Sequence, residues 1–465
     1  MPVFPTPPLT PERLAGLRET AVGDPALRLA TNAVTATEVD KVTLNHAAVT
    51  ALNPTTEAKL DTLGVTDQKQ SGRCWMFAGL NVFRHRIAEK LNVADFEFSE
   101  AYLQFYDKLE KSNHVLRSLD ALFRDGVTDP DDRTVQALLA APAHDGGQWN
   151  YLVNLISRYG VVPKYAMPET YGSGRTPQLD KRLSTVLRRA AVALRTAAAS
   201  GQDTTPLLDA ALTDAHRVIA THLGLPPTEF VWQYRDKDGD FHRAGTRTPQ
   251  EFAAEVLTDE LTGGLDNYVS VVNDPREENP YGRAYAVRYE TNVWDTPDFS
   301  YVNAGTAELK RLAKASIDAG DPVWFACDVN RQFASSLGVW DAHLYERDAL
   351  YGTDTATTKA EQMRTRESML THGMVLTGYD DESAATTTWR VENSWGTKSH
   401  GEHTDLGAAG AMKGYGTMAD SWFDDNVFQV VVHRKYLSDD RGELPGLADL
   451  DRGEITVLPI WDAMA

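Results

Sequence analysis

The chain has few of the features that mark several large classes of protein. It contains two cysteines in 465 residues and no apolar run approaching the roughly 18 residues that a membrane-spanning helix needs. Its N-terminus lacks the basic start and apolar core of a signal peptide. We therefore expect a cytoplasmic protein with reduced thiols and no membrane association, because disulfides are rare in that compartment.

Positive charge is also scarce, with 46 lysines and arginines against 66 acidic residues and a net charge of −20. Nucleic-acid binding depends on neutralising phosphates, so nucleic acid is not expected as the main partner. The sequence has no Walker loop, no GxGxxG and no HExxH motif. "HGEH" (400–403) has no further convergent ligands and is interpreted as a loop, so we expect no metal and no organic cofactor.

One of the two cysteines occurs where a reactive thiol is expected. Cys74, in "DQKQSGRCWMFAGLN", follows a Ser-Gly loop and precedes apolar residues at helical spacing, which predicts the first turn of a helix. A helix N-terminus favours the thiolate, the nucleophilic form of cysteine. Cys327 lies instead in the apolar run "DPVWFACDVN", which predicts a buried strand and an inert thiol.

A base and its orienting residue are found near the C-terminal end of the chain. "THGMVLTGYD" and "TTTWRVEN" predict two strands, and the turn between them is expected to be centred between Glu382 and Ser383. An antiparallel hairpin in that register sets His372 opposite Asn393, about 4.5–5.5 Å apart at Cβ. We expect Asn393 to fix the imidazole so that its other nitrogen faces the thiol.

An oxyanion formed by thiolate attack needs hydrogen-bond donors. Gln68, six residues before Cys74, and the Cys74 backbone amide are the candidates. Taken singly, these side chains have ordinary structural interpretations, as packing or simple hydrogen bonds. Their order, Gln-x5-Cys-Trp followed by His and then Asn-Ser-Trp-Gly, favours catalysis, with an inactive descendant as the alternative.

These motifs resemble those of the papain-like cysteine peptidases. Ser-Gly-Arg-Cys-Trp at 71–75 stands where papains have Cys-Gly-Ser/Ala-Cys-Trp/Tyr, and it is similar to the branch of bleomycin hydrolase and bacterial aminopeptidase C. "DGGQWNYLVNLISRYGVVPKYAMPET", "LTHGMVLTGYD" and "WRVENSWG" also have counterparts there. The 298 positions from Cys74 to His372 exceed the roughly 130–150 of simple papains, consistent with large helical insertions.

The resemblance implies an α+β, papain-like two-lobe fold with a helical lobe carrying the cysteine and an antiparallel β lobe carrying the histidine and asparagine. It also implies a large helical insertion and a C-terminal arm that enters the active-site cleft. The expected ranges are an N-terminal arm at 1–60, the helical lobe at 61–175, the insertion at 176–300, the β lobe at 301–450 and the C-terminal arm at 451–465.

The resemblance also implies a role for each site residue. These roles are nucleophile for Cys74, general base and acid for His372, orienter for Asn393, oxyanion donor for Gln68, and shield of the histidine–asparagine hydrogen bond for Trp395. Gly146 and Gly147 are expected to let a substrate strand approach the backbone. The terminal carboxylate of Ala465 is expected to attract the free amine of a small peptide. A homohexamer with an internal chamber is implied as well.

Two segments depart from the family pattern. The ending "LPIWDAMA" is a few residues shorter than Leu-Pro-x-Trp-Asp-Pro-Met-Gly-Ala-Leu-Ala and lacks its second proline, so the number of residues removed per cut stays open. "SHGEHTDLGAAGAM" (399–412) is longer than the usual loop and is a candidate for the cleft rim.

The function expected from these features is that of a cysteine aminopeptidase acting on small peptides through a thioacyl-enzyme. Three alternatives stay open at this point. They are an oligopeptidase with relaxed selectivity, an amidase acting on a bleomycin-like drug or another non-peptide amide, and an inactive hexameric scaffold or nucleic-acid-binding chamber.

Overall fold

The structure is a computed structural model that describes residues 9–60, 63–383, 385–398 and 411–465. The "HGEH" loop and most of the long segment 399–412 lie outside the described residues. Within the described ranges, no helix is both long enough and apolar enough to cross a membrane.

Capped helices form the N-terminal arm. They are α1 (Pro11–Gly23), α2 (Pro25–Val34), α3 (Val39–Thr43) and α4 (His46–Ala51). Thr10 caps α1 by accepting a hydrogen bond from the Arg13 amide, as the Thr-Pro start predicts. Neither α1 nor α2 contains a buried residue, so both lie outside the core of the chain.

The helical lobe surrounds the helix that begins at Cys74. The short strand β1 (Ala58–Lys59) precedes this lobe in the chain and pairs with the sheet of the other lobe. The helices of the lobe are α5 (Cys74–Lys90), α6 (Glu100–Arg124), α7 (Arg133–Ala140) and α8 (Trp149–Tyr159). Buried residues occur on nearly every side of α5, which makes it an interior helix. Ser99 caps α6 as predicted, since its hydroxyl accepts a hydrogen bond from the Tyr102 amide.

The insertion packs a helical pair against α6. Its elements are α9 (Pro177–Ala199), α10 (Thr205–Leu223), β2 (Phe230–Arg235), β3 (Phe241–Arg247), α11 (Pro249–Val256) and α12 (Asp259–Thr262). Leu179, Leu183, Leu187 and Leu194 recur at helical spacing in α9 and are fully buried. The hydrophobic core of the helical lobe therefore continues into the insertion.

The β lobe is built on one large mixed sheet. Its strands in this part of the chain are β4 (Tyr268–Val272), β5 (Arg283–Val287), β6 (Ser300–Asn303), β7 (Val323–Cys327), β8 (Phe333–Ala334), β9 (Val339–Trp340), β10 (His372–Glu382), β11 (Ala385–Glu392), β12 (Tyr415–Ala419), β13 (Val427–His433) and β16 (Thr456–Leu458). A separate two-stranded ribbon consists of β14 (Ser438–Asp439) and β15 (Gly442–Glu443). The sheet order is β16-β5-β6-β4-β13-β7-β10-β11-β12-β9-β8, with β1 paired to β10.

Five helices of the described residues belong to this part of the chain. They are α13 (Thr306–Asp318), α14 (Arg347–Tyr351), α15 (Lys359–Thr365), α16 (Asp420–Asn426) and α17 (Leu447–Arg452). Of these, α13 packs on the sheet while α14 packs against α2 and α3.

The segment 176–300, expected to be mainly helical, contains strands of the large sheet at its end. β4 and β5 belong to that sheet, and β6 begins at Ser300. By strand pairing, the β lobe begins near residue 268. Short apolar runs do not by themselves distinguish strand from helix, so the sequence did not reveal these strands.

The two lobes meet where the first turn of α5 packs against the start of β10. A Cβ atom added to Gly373 would lie 3.2 Å from the Trp75 Cα and 3.3 Å from the Trp324 Cζ2. The Trp324 indole N–H donates to the Trp75 carbonyl at 3.0 Å. Glycine at position 373 therefore allows the helix that carries the thiol to approach the strand that carries His372.

We expect Gly373→Ala to separate these two elements and to lower the free energy of unfolding by about 1–3 kcal/mol, the usual cost of overpacking. The midpoint of thermal unfolding and the rate of thiol alkylation should both fall. Gly16→Ala is the matched control, because nothing lies within 4 Å of its added Cβ in exposed α1. Equal midpoints for Gly373→Ala and Gly16→Ala would show that the junction is not tightly packed.

Candidate active site

Cys74 is the first residue of α5, as the sequence predicted. Its side chain is buried, and the Gly373 amide donates to Sγ at 3.4 Å. Burial raises the pKa of the Cys74 thiol to about 11, although the Gly373 and Trp75 amides act in the opposite direction. The isolated thiol is therefore protonated at neutral pH and needs a base to become a nucleophile.

His372 and Asn393 form the predicted hydrogen bond, with 2.8 Å between Nε2 and Oδ1. An amide oxygen only accepts, so Nε2 carries the proton of the neutral ring and Nδ1 is free to accept one. Burial lowers the pKa of His372 to about 4, while the bond to Asn393 acts to raise it. The imidazole is thus neutral at pH 7 and able to take the thiol proton.

The predicted strand register was wrong, although the hydrogen bond is present. Glu382 pairs with Ala385, so the turn is centred one residue later than expected, and Ser383 has a positive φ of 54°. Val375 then pairs with Glu392, which leaves Asn393 just beyond the end of β11 and not directly opposite His372. The Asn393 side chain spans the offset.

Trp395 packs against the imidazole. The ring centroids of Trp395 and His372 are 4.7 Å apart and the rings are inclined by 40°. Phe333 also packs against the indole of Trp395, with 5.9 Å between ring centroids. The position of Trp395 suits the predicted role of excluding water from the hydrogen bond between His372 and Asn393.

The Gln68 side chain is fixed in the cleft beside the thiol. Its Oε1 accepts from the Ser394 hydroxyl at 2.7 Å, and its Nε2 donates to the Ser71 carbonyl at 2.5 Å. These two bonds set the orientation of the amide and occupy one of its two N–H groups. The second N–H is available to an oxyanion formed near Cys74, since both residues line the same cleft.

The loop before Cys74 is held by a buried ion pair that sequence analysis missed. The Arg73 guanidinium donates to both Glu169 oxygens, at 2.9 and 2.7 Å, and its Nε donates to the Ser71 hydroxyl at 2.9 Å. Arg73 is 1% exposed. Bidentate pairs of this kind fix geometry as well as charge. Because 96 residues separate the partners, no local pattern pointed to Glu169.

Asp145 connects the nucleophile loop to the opposite wall of the cleft. Its carboxylate accepts from the Gly72 amide at 2.8 Å and pairs with Lys108 at 2.7 Å, while its carbonyl accepts from the Trp75 indole at 2.7 Å. Burial alone would raise the pKa of Asp145, but the Lys108 ammonium beside it holds that pKa well below its usual range. Asp145 therefore remains charged.

Gly146 and Gly147 follow Asp145 and line the cleft with the thiol. A Cβ atom on Gly147 would lie 2.6 Å from Cε2 of Trp75, so packing alone requires glycine there. One at position 146 would lie 3.2 Å from Nδ1 of His144. The two glycines keep this wall low enough for backbone to approach, which is the feature expected of a substrate-binding edge.

One cleft of about 840 Å³ brings together most of the predicted site. Its lining includes seven of the predicted residues: Gln68, Cys74, Gly146, Gly147, His372, Trp395 and Ala465. Asn393 lies behind His372, to which it is bonded. Across the described ranges, no group of three histidine, cysteine, aspartate or glutamate side chains is arranged to hold a metal ion.

The C-terminal residues are anchored just before they reach the cleft. Asp462 pairs with the Arg276 guanidinium through two contacts, at 2.6 and 3.0 Å, and Arg276 is also held by Asp274. Met464 is fully buried and its amide donates to the Asp462 carboxylate. Ala465 follows as an exposed residue at the cleft wall.

Comparison with known proteins agrees with this geometry. A model of the peptidase C1-like family matches residues 8–465. The chain belongs to this family. This peptidase C1-like chain is 37% identical to aminopeptidase C of Listeria monocytogenes over 426 residues, 92% of this chain and 91% of that protein. It is 37% identical to bleomycin hydrolase of Homo sapiens over 467 residues, 98% of each protein.

A solved structure extends the comparison to the fold. The peptidase C1-like chain superposes on PepW from Lactobacillus rhamnosis with a TM-score of 0.90 and 38% identity, covering 98% of both chains. The family resemblance and the papain-like α+β fold predicted from the motifs are thereby confirmed. The chain is a cysteine peptidase, a hydrolase.

We expect Asn393→Ala to slow alkylation of Cys74 by iodoacetamide about tenfold or more. The bond to Asn393 favours the charged imidazole, and hydrogen bonds to charged groups contribute about 1.5–3 kcal/mol. Intact-protein mass spectrometry gives the rate, since Cys327 is fully buried. Asn32→Ala on exposed α2 is the control. An unchanged rate in Asn393→Ala would contradict the assignment of Asn393 as the orienting residue.

Proposed function

We propose that the chain is a cysteine aminopeptidase that removes N-terminal residues from small peptides. The observation that carries the proposal is that Ala465 lines the same cleft as Cys74 and His372. A chain end in the cleft limits how far a substrate extends on its amino-terminal side. The names of its relatives, aminopeptidase C and bleomycin hydrolase, support the same activity.

The chemistry begins with transfer of the Cys74 proton to Nδ1 of His372. Charging either buried group alone is unfavourable, so the thiolate and imidazolium form together as a pair. Sγ then attacks the peptide carbonyl carbon, and the oxyanion accepts hydrogen bonds from the Cys74 amide and Gln68 Nε2. As the C–N bond breaks, His372 protonates the leaving amine and a thioester to Cys74 remains.

Water completes the reaction. His372 takes a proton from a water molecule, whose oxygen attacks the thioester carbonyl. The C–S bond breaks, the carboxylic acid leaves, and the proton returns to Sγ. Asn393 keeps the imidazole in one orientation during both steps, and Trp395 covers their hydrogen bond.

Selection of a free amine is assigned to the terminal carboxylate of Ala465. An ammonium group of the substrate is attracted to a carboxylate and can donate a charge-assisted hydrogen bond to it. The Asp462–Arg276 ion pair supports this assignment because it limits the movement of the last three residues. Ala465 lines the cleft despite the shortened tail, which supports a role for its carboxylate there.

Self-association is part of the proposal. Several large apolar side chains of α1 and α2 are exposed in the single chain, among them Leu14, Leu17 and Leu29 at 51%, 56% and 71%. Such side chains gain free energy from a second surface. They support the homohexamer expected from the family resemblance, which stays a prediction.

Cys74→Ala should abolish hydrolysis of a fluorogenic dipeptide, with kcat/KM falling by at least about 10⁴-fold, because no other thiol lines the cleft among the described residues. Cys327→Ser is the matched control: it keeps the donor to the His372 carbonyl and should retain activity. Full activity in Cys74→Ala would rule out the proposed nucleophile.

Removal of Ala465 should weaken the preference for a free amine, because the terminal carboxylate moves back by one residue. The measurement compares kcat/KM for matched peptides with free and acetylated amino termini. Ala465→Gly keeps the length and the carboxylate, so its preference should match that of the full chain. Equal cleavage of both peptides by the full chain would instead support the oligopeptidase alternative.

A further inference from the structure

The cleft contains a carboxylate that the peptide-bond chemistry does not use. Glu290 lies in the loop after β5 and lines the same cavity as Cys74, Gly147 and Ala465. Its side chain is half-buried, and Oε1 accepts a hydrogen bond from the Tyr151 hydroxyl at 2.8 Å. A carboxylate in such a setting requires an explanation, because desolvating a charge without a partner is costly.

No cation neutralises Glu290 within the part of the chain that the structure describes. Lys111, whose charge acts on Glu290 through space, has its three N–H groups directed elsewhere. It pairs with Asp107 at 2.8 Å and donates to the carbonyls of Gly146 and His144. Lys111 lowers the pKa of Glu290 from a distance, yet burial dominates and raises that pKa. The carboxylate keeps acceptor capacity, and Glu290 lines the cleft.

The position of Glu290 is rigid. Its amide donates to the Val287 carbonyl, and its carbonyl accepts from the Phe299 amide at 2.7 Å. Tyr289, immediately before it, has a positive φ of 65°, which non-glycine residues adopt only where the surrounding structure holds them. The side chain of Asn292 ties the loop to α8 through the Tyr151 carbonyl at 3.2 Å.

Tyr151 relates this carboxylate to the nucleophile. Its ring packs edge-on against Trp75, the residue after Cys74, with 5.9 Å between ring centroids. Tyr151 is almost fully buried, so its hydroxyl, which donates to Glu290, fixes the position of that carboxylate in the cleft. The same wall includes the glycine edge at which substrate is proposed to bind.

We propose that Glu290, oriented by Tyr151, determines specificity by binding a basic side chain, arginine or lysine, on the amino-terminal side of the scissile bond. The inference rests on the proposed peptidase function and names the substrate class of that site. The carboxylate supplies the charge that a guanidinium or ammonium group requires, and the tyrosine hydroxyl occupies only one of its lone pairs. The terminal carboxylate of Ala465 remains available to bind the α-amine of the substrate. The α-amine and the basic side chain of one peptide therefore have separate partners.

The test uses dipeptidyl coumarylamides that carry arginine, or its uncharged isostere citrulline, at the first or second position. Wild-type protein should show a kcat/KM at least about tenfold higher for arginine at one of these positions, as expected of a charge-assisted hydrogen bond. Glu290→Gln should reduce the arginine-to-citrulline ratio to near one, and Tyr151→Phe should reduce it partly. Glu229→Gln, an exposed glutamate before β2, is the matched control and should keep the ratio.

Three outcomes would overturn the proposal. One is a ratio near one in the wild-type protein, and another is a ratio that Glu290→Gln leaves unchanged. The third is a Glu290→Gln protein that loses its preference for free over acetylated amino termini while keeping the preference for arginine. That result would assign Glu290 to the α-amine and not to a side chain.

A binding measurement separates this inference from the proposed function. Calorimetry with Cys74→Ala compares the affinities of arginine and citrulline peptides without hydrolysis, and the same tenfold difference is expected, absent when Glu290→Gln is added. If wild-type protein hydrolyses none of the peptides, the aminopeptidase proposal fails, and this affinity ratio still decides the role of Glu290.

Discussion

The active site depends on the close approach of α5 to β10. Cys74 and His372 lie at the starts of two elements that belong to different lobes, and the Gly373 amide reaches the thiol from the strand. A side chain at position 373 would press against Trp75 and Trp324 at 3.2–3.4 Å and force them to shift. The papain-like active site therefore requires close packing of two elements, the N-terminus of α5 and the first residues of β10.

Buried charges on the helical side fix the nucleophile loop once the lobes have met. The Arg73–Glu169 ion pair holds the loop before the thiol, and the Asp145–Lys108 pair connects that loop to the cleft wall at Gly146 and Gly147. Buried pairs of this kind give little net stability, yet removal of one partner leaves an uncompensated charge at a cost of about 3–5 kcal/mol. We infer that they define geometry more than they add stability.

The catalytic set could be predicted because its signals are local. Cys74 precedes an apolar helix, and His372 and Asn393 flank a recognisable hairpin. The register could not be predicted, since it depends on which residue adopts the left-handed conformation. Ser383 adopts it, and the turn is centred one residue later than expected. Glu169 and the strands near residue 270 were missed for a related reason: long-range partners leave no pattern in the local sequence.

The ion pair at Asp462 determines where the shorter ending places the end of the chain. What fixes the chain end is not its total length but the distance from the last anchor, and that anchor is the Asp462–Arg276 ion pair. Met464 is buried beyond it, so Ala465 is the one residue after the anchor that lines the cleft, while Ile460 lines it before the anchor. Residues missing before Asp462 would change the path of the arm, whereas residues missing after it would change the depth of the carboxylate. The number of residues removed per cut should therefore depend only on how many residues follow Asp462.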